Sequence, residues 1–361
     1  MPAFIPGLKL SEFLFHKAIQ PVMAAHFPRL SYSAARLEWG SDVIGFDDAM
    51  SMDHGWGPKL TLFLSESDHA EKAETLQQFF SYNLPFEIHG FPTHFGEPLQ
   101  DGGKMSLRKE YPIHHMVSIT TTENFFQEYL GVDIQQTLTP SIWLSIPQQK
   151  LRTLYSGQIY YDGLGTLSQI RERFTWYPDD VWLYLMACQW KRIDQEAPFM
   201  GRTGIVGDEL GSRLIAARLI KDCMRLGFLI ERIFAPYIKW FGTAFSQLRI
   251  SQELIPVFDT VLTSQTWKER ESALSKAYVI LGEAHNRLQI TPIIKPDVSY
   301  FHNRPFLVPP AEVFIEALRA SIKDPEVLSL PPHIGSVDQF SDSTDILENN
   351  IHCHNLRRLY Q

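Results

Sequence analysis

The chain has 361 residues, of which 44% are hydrophobic and 20% charged, a composition that suits two soluble domains with sizeable cores. Its formal net charge of -8 argues against broad attachment to nucleic acid or anionic membrane, and leaves room only for a local basic pocket. No apolar run approaches the roughly 18–20 residues of a membrane span, and the first six residues do not read as a secretory leader.

Three widely spaced cysteines, Cys188, Cys223 and Cys353, make neither a disulfide framework nor a zinc pattern. The expectation is a cytoplasmic, reduced protein without membrane contact. His352-Cys353-His354 reads as part of a mobile polar tail rather than a metal site.

Residues 9–27 have the pattern of an amphipathic helix bent at Pro21. A short strand at 34–39 runs into Gly40-Ser41, and the apolar run 60–64 is the next strand. A polar-faced helix at 66–81 follows, then period-two alternation over 86–91 and a strand at 115–120 after the loop 96–111, with its Gly102-Gly103 pair. These predict a small mixed sheet with flanking helices within residues 1–150. The second domain, 151–361 with its C-terminal extension, has a short apolar-aromatic piece at 158–161, a helical texture over 165–325 and a polar tail from Ser341, with helices expected at 166–174, 179–193, 208–234, 252–265 and 267–288. The stretch 208–234 is apolar on most of its circumference, as the centre of a bundle would be. The fold class expected is therefore α+β, a mixed sheet followed by an α-helical bundle.

Chemistry concentrates at Gly40-Ser41 and at Asp53, which reads as standing at the mouth of the second strand. Glycine lets a backbone approach a phosphate, and a serine hydroxyl adds a donor. A carboxylate supplies hard oxygen to Mg²⁺. Transfer of a nucleotide usually places two acids alternately along one strand and a third on its neighbour. Here the position two residues beyond Asp53 is Gly55. Glu87 is the candidate third acid, or else an edge-strand glutamate facing water. Asp42, Asp47 and Asp48 read more simply as residues of a solvated turn.

A second group is Gly201-Arg202-Thr203-Gly204, Gly207-Asp208-Glu209-Leu210-Gly211-Ser212 and Pro236-Tyr237-Ile238-Lys239-Trp240. Arg202 and Lys239 have the charge to grip a triphosphate, with Lys239 expected to be partly enclosed by aromatic rings. Equally, Asp208 reads as a helix cap and Arg202 as an ion-pair partner. Arg218, Lys221 and Arg225 lie on one stripe of the central helix, lining a phosphate cleft or, more simply, facing water.

In these motifs, together with Ile334-Gly335-Ser336-Val337-Asp338, the chain resembles the DUF4037 family, a branch of the polymerase-β-type nucleotidyltransferase superfamily. The resemblance implies a nucleotidyltransferase-type sheet and a helical domain. It implies that Gly40 and Ser41 touch nucleotide phosphates and that Asp53 binds Mg²⁺. The implied reaction moves an NMP from an NTP to an unknown hydroxylated acceptor. Gly55, standing where related chains carry an acid, opens the alternative of a catalytically impaired nucleotide-binding or interaction module.

Overall fold

The computed structural model describes residues 2–96 and 103–361. Of the turn marked by Gly102-Gly103, Gly102 lies outside the described residues. The N-terminal stretch forms α1 (Gly7–Leu14), a π turn (Phe15–Ile19) and α2 (Gln20–His26). Pro21 has no N–H to offer the Lys17 carbonyl, so the helical ladder widens just before it.

Four strands, β1 (Ser33–Arg36), β2 (Lys59–Leu64), β3 (Met116–Thr121) and β4 (Gln158–Asp162), form one sheet in the order β3-β2-β1-β4. β1 runs antiparallel to both neighbours, while β2 and β3 are parallel from Lys59↔Met116 to Leu64↔Thr121. Parallel neighbours need a crossover, supplied by α3 (Glu66–Asn83), whose Ser65 cap accepts the Asp68 amide, and α4 (Thr122–Leu130) follows β3 directly. Leu60, Leu62 and Leu64 on one face of β2 join Leu10, Leu14, Phe15, Leu76 and Phe80 in the core. The fold is α+β, with a small mixed sheet and flanking helices.

The alternating run 86–91 is not one strand. Glu87–Ile88 pairs with Phe91–Pro92 as a hairpin ribbon, turned at His89 and Gly90, both with positive φ (50° and 80°).

The chain divides into two compact units, Met1–Thr137 with Lys150–Thr175, and Leu138–Gln149 with Trp176–Gln361. The division is thus not a single cut at residue 150, because β4 must stand beside β1 to complete the sheet.

In the second unit, α5 (Asp179–Ile205), α6 (Glu209–Ile230), α7 (Ile238–Phe245), α8 (Ser251–Thr263), α9 (Trp267–Arg287) and α10 (Ala311–Ser321) are the main helices. α5 continues past the expected stop at 193 and through Pro198, because its buried face extends over Ala197, Met200, Gly201 and Gly204. Apolar burial here outweighs one lost backbone hydrogen bond. Trp190 of α5 stacks on Phe314 of α10 with centroids 4.5 Å apart. The polar C-terminal stretch is folded rather than a mobile tail. Cys353 is buried, and the buried Tyr360 hydroxyl donates to the Gly335 carbonyl (2.8 Å).

Candidate functional site

β1 ends at Arg36 in fully buried backbone, so its guanidinium needs local counter-charge. The turn that follows supplies it. Arg36 Nε donates to Asp42 Oδ2 (3.2 Å), and Nη2 donates to the Trp39 carbonyl (2.7 Å). On β2, the residues alternating with the core leucines are Lys59, Thr61 and Phe63, all buried, the first two polar. Lys59 Nζ donates to the Gly55 carbonyl, and Thr61 Oγ1 donates to Glu38 Oε1 (2.6 Å).

The result is a buried cluster of Arg36, Asp42 and Lys59, with Glu38 at its edge. Burial raises the Asp42 pKa, but the Arg36 and Lys59 charges outweigh it and hold the carboxyl below its ordinary value. Burial, with Arg36 nearby, pushes Lys59 down to about 8.

Gly40 belongs to this cluster. Its φ is +147°, and an added Cβ would lie 1.9 Å from Asp42 Oδ1 and 2.9 Å from Arg36 Nη2. Gly45 also has positive φ (+74°), but open space surrounds it. We therefore expect Gly40→Ala to lower the melting temperature more than Gly45→Ala, since strain of about 1–3 kcal/mol is common to both and only the first breaks the ion pair. Equal melting shifts would show that Gly40 serves the backbone alone.

Ser41 is the half-buried corner of the turn. Its carbonyl accepts the Phe46 amide (2.9 Å), while among the described residues its own amide and hydroxyl make no hydrogen bond. Beside it stands Trp39, 58% exposed, whose ring lies 4.9 Å from Lys59 Nζ. An added Cβ at Gly55 would lie 3.4 Å from the same indole, so the Gly55 loop and the Gly40-Ser41 turn are neighbours.

Asp53 is not at the mouth of β2. It lies in an exposed bend ahead of it, because Gly55, Gly57 (φ 58° and 147°) and Pro58 turn the chain before Lys59 begins the strand. Its side chain is 58% exposed and 3.0 Å from His54 Nδ1. That hydrogen bond is the main cause holding its pKa below the ordinary value.

Glu87 is exposed on the hairpin ribbon, outside the four-stranded sheet, and so is not on a strand adjoining β2. The loop carboxylates are not solvated turn residues alone. Asp47 Oδ2 accepts Gly7 N (2.7 Å) and Trp56 Nε1 (2.9 Å), and Asp48 caps the turn Ala49–Ser51. Every acid near the turn except Asp53 is thus committed to a protein donor other than its immediate neighbour. Among the described residues no three His, Cys, Asp or Glu side chains converge as a metal-binding group. A two-ion carboxylate set for Mg²⁺ does not fit these residues, since the first two alternating positions on β2 are a lysine and a threonine.

In the second unit, Arg202 is exposed in the last turn of α5, where a cation suits the helix C-terminus. The glycines around it serve packing: a Cβ at Gly201 would meet Phe306, and one at Gly204 would meet Trp267. Asp208 is the cap of α6, accepting the Gly211 amide (2.7 Å), so that helix end is already served by a carboxylate. Lys239 is exposed rather than enclosed. It lies in the first turn of α7 and among the described residues touches only the Trp240 ring, at 5.1 Å, while Phe241, Ala244 and Phe245 face inward.

The cluster residues Arg36, Lys59 and Thr61 were not singled out from the sequence. The available signal was a lysine and a threonine alternating with the leucines of an apolar strand.

No helix among the described residues is long and apolar enough to cross a membrane. Among solved structures, a nucleotidyltransferase-like protein from Exiguobacterium sibiricum is similar over 76% of this chain and 78% of that chain, at 10% identity and a TM-score of 0.34. No curated protein matches the chain. Residues 143–241 match the family DUF4037, described as a domain of unknown function, and over that stretch the resemblance read from the motifs is borne out.

Proposed function

We propose that the chain is a nucleotide-binding module of nucleotidyltransferase type in which Mg²⁺-dependent transfer is impaired. The observation that carries this reading is the pairing of two unengaged Ser41 donors with the exposed Trp39 indole, above the buried cations Arg36 and Lys59. Backbone and hydroxyl donors at a glycine turn suit phosphate oxygens, and an open indole suits a nucleobase.

Transfer of an NMP from an NTP to an acceptor hydroxyl asks for carboxylates that hold Mg²⁺ against the phosphates. Among the described residues Asp53 is the one carboxylate near the turn left for that role, and the strand that follows it opens with a cation, Lys59, rather than an acid. Arg202 and Lys239 are exposed side chains that, among the described residues, have no ion-pair partner to orient them toward a triphosphate.

The test is calorimetric titration of ATP, GTP, CTP and UTP into the full chain, with Mg²⁺ and with EDTA, beside a pyrophosphate-release assay. The expected result is binding of at least one nucleotide that survives EDTA, without pyrophosphate release. Trp39→Ala should weaken that binding about five- to a hundredfold, the range of one base–aromatic stack of about 1–3 kcal/mol. Pyrophosphate release that disappears in Asp53→Ala would replace this reading with an active transferase. No binding of any of the four would overturn both.

A further inference from the structure

The stripe of cations on α6 does not simply face water. Arg218, Lys221 and Arg225 line one wall of a cleft of about 260 Å³, Arg192 of α5 joins them, and the segment from Asp338 to Asp342 forms the opposite wall. That segment begins in a short helix, α11 (Val337–Phe340).

The acids Asp222 and Asp338 in the cleft are already bonded, the first of them to a cation of the cleft itself. Asp222 Oδ1 accepts Arg192 Nε (3.0 Å) and Gln189 Nε2 (3.0 Å), and Asp338 Oδ2 accepts the Gln148 amide (2.9 Å). Arg225 is left without a hydrogen bond among the described residues, its guanidinium held 5.4 Å from the centroid of the Phe241 ring. Burial lowers its pKa even though Asp338 and Asp222 oppose the shift by charge, as expected of a cation short of direct partners.

Lys221 Nζ is bound to Asp342 Oδ2 (2.7 Å), and that carboxylate is 68% exposed at the rim. An exposed ion pair of this kind is weak and easily exchanged. With Asp342 swung away, the four cations would face Asp222, Asp338 and the Glu196 carboxylate that pairs with Arg218, an excess of one positive charge. A planar guanidinium with unengaged donors favours oxyanions that accept two hydrogen bonds at once.

We propose that this cleft binds a phosphate dianion, free or as the head of a monoester, with Arg225 as its fork, and that Asp342 occupies the Lys221 position when the site is empty. Asp342 is a built-in competitor. The site stands on residues of the second unit alone and does not rest on the nucleotide reading above.

The experiment titrates inorganic phosphate, ribose 5-phosphate and ribose into the full chain at low salt, with melting temperatures as the check on folding. Phosphate and ribose 5-phosphate should bind while ribose does not. Tighter binding of ribose 5-phosphate identifies a sugar ester as the fitting ligand, and equal binding identifies free phosphate. Asp342→Ala should tighten binding at least threefold, because Lys221 is released, and Arg225→Gln should weaken it more than tenfold. Should Arg225→Gln fail to fold, Lys221→Ala carries the same direction of change. Ser41→Ala, which removes the hydroxyl donor of the nucleotide site, should leave phosphate binding unaltered, which separates this site from the nucleotide site. Absence of phosphate binding in both wild type and Asp342→Ala overturns the proposal, as does binding indifferent to Arg225→Gln and Lys221→Ala.

Discussion

Replacing Asp42 with alanine is expected to lower the unfolding free energy by about 3–5 kcal/mol, the cost of stripping the counter-ion from a buried charge. Asp42 is 3% exposed, and it is the carboxylate bonded to Arg36 and facing Lys59. Without it, two cations would remain in a space sealed from water, with only Glu38 at the edge. Asp53→Ala, by contrast, removes an exposed side chain whose partner is its own neighbour, and should change stability by less than about 0.5 kcal/mol.

Urea denaturation of the full chain, with both variants measured beside wild type, reads this difference. Adding Arg36→Met to Asp42→Ala should recover part of the loss, because it removes one of the stranded charges. Similar small effects of Asp42→Ala and Asp53→Ala would show that water reaches the Arg36–Asp42 pair.

The second large effect is a pH dependence carried by Lys59. Folded Lys59 gives up its proton near pH 8, against 10.5 for an ordinary lysine. Below pH 8 both the folded and unfolded chains carry the proton, and the folded state bears the full cost of burying the ammonium. Between the two values the folded lysine is neutral while the unfolded one still binds a proton, so stability rises with pH. Above 10.5 the gain is complete.

A gap of this size corresponds to about 3 kcal/mol. Other groups titrate in the same range, so the quantity to measure is the difference in unfolding free energy between wild type and Lys59→Met at pH 7 and at pH 10. Wild type should gain on the variant by up to about 3 kcal/mol as the pH rises. A difference that does not move would mean that Asp42 and Glu38 keep the ammonium charged throughout.

Much of the scaffold was legible because local signals and burial agree. The leucines of β2, the Ser65 cap of α3 and the Thr266–Glu269 capping box at the start of α9 each announce their element in a few residues. The run 86–91 misled because alternation is shared by a strand and by a hairpin with a two-residue turn, and His89-Gly90 decides for the hairpin. The end of α5 misled because Pro198 is a local stop signal, while the face that buries Met200 and Gly204 is not local.

At the candidate site, the turn at Gly40-Ser41 was legible in the sequence, and the buried partners Arg36, Asp42 and Lys59 beside it were not. The sequence by itself determined the order of strands and helices, the positions of the caps and the apolar faces, since these depend on neighbours within a few residues. Whether a charged side chain is buried or exposed was decided only by the tertiary structure. Asp42 and Asp53 look alike in sequence, yet one is sealed against Arg36 and the other lies open to water. The reason is physical: the free energy of a charge depends on the distant residues that exclude water around it and on the partner they bring within reach. Arg36 and Lys59 reach Asp42 from two different strands, and only the antiparallel pairing of β1 with β2 brings them together.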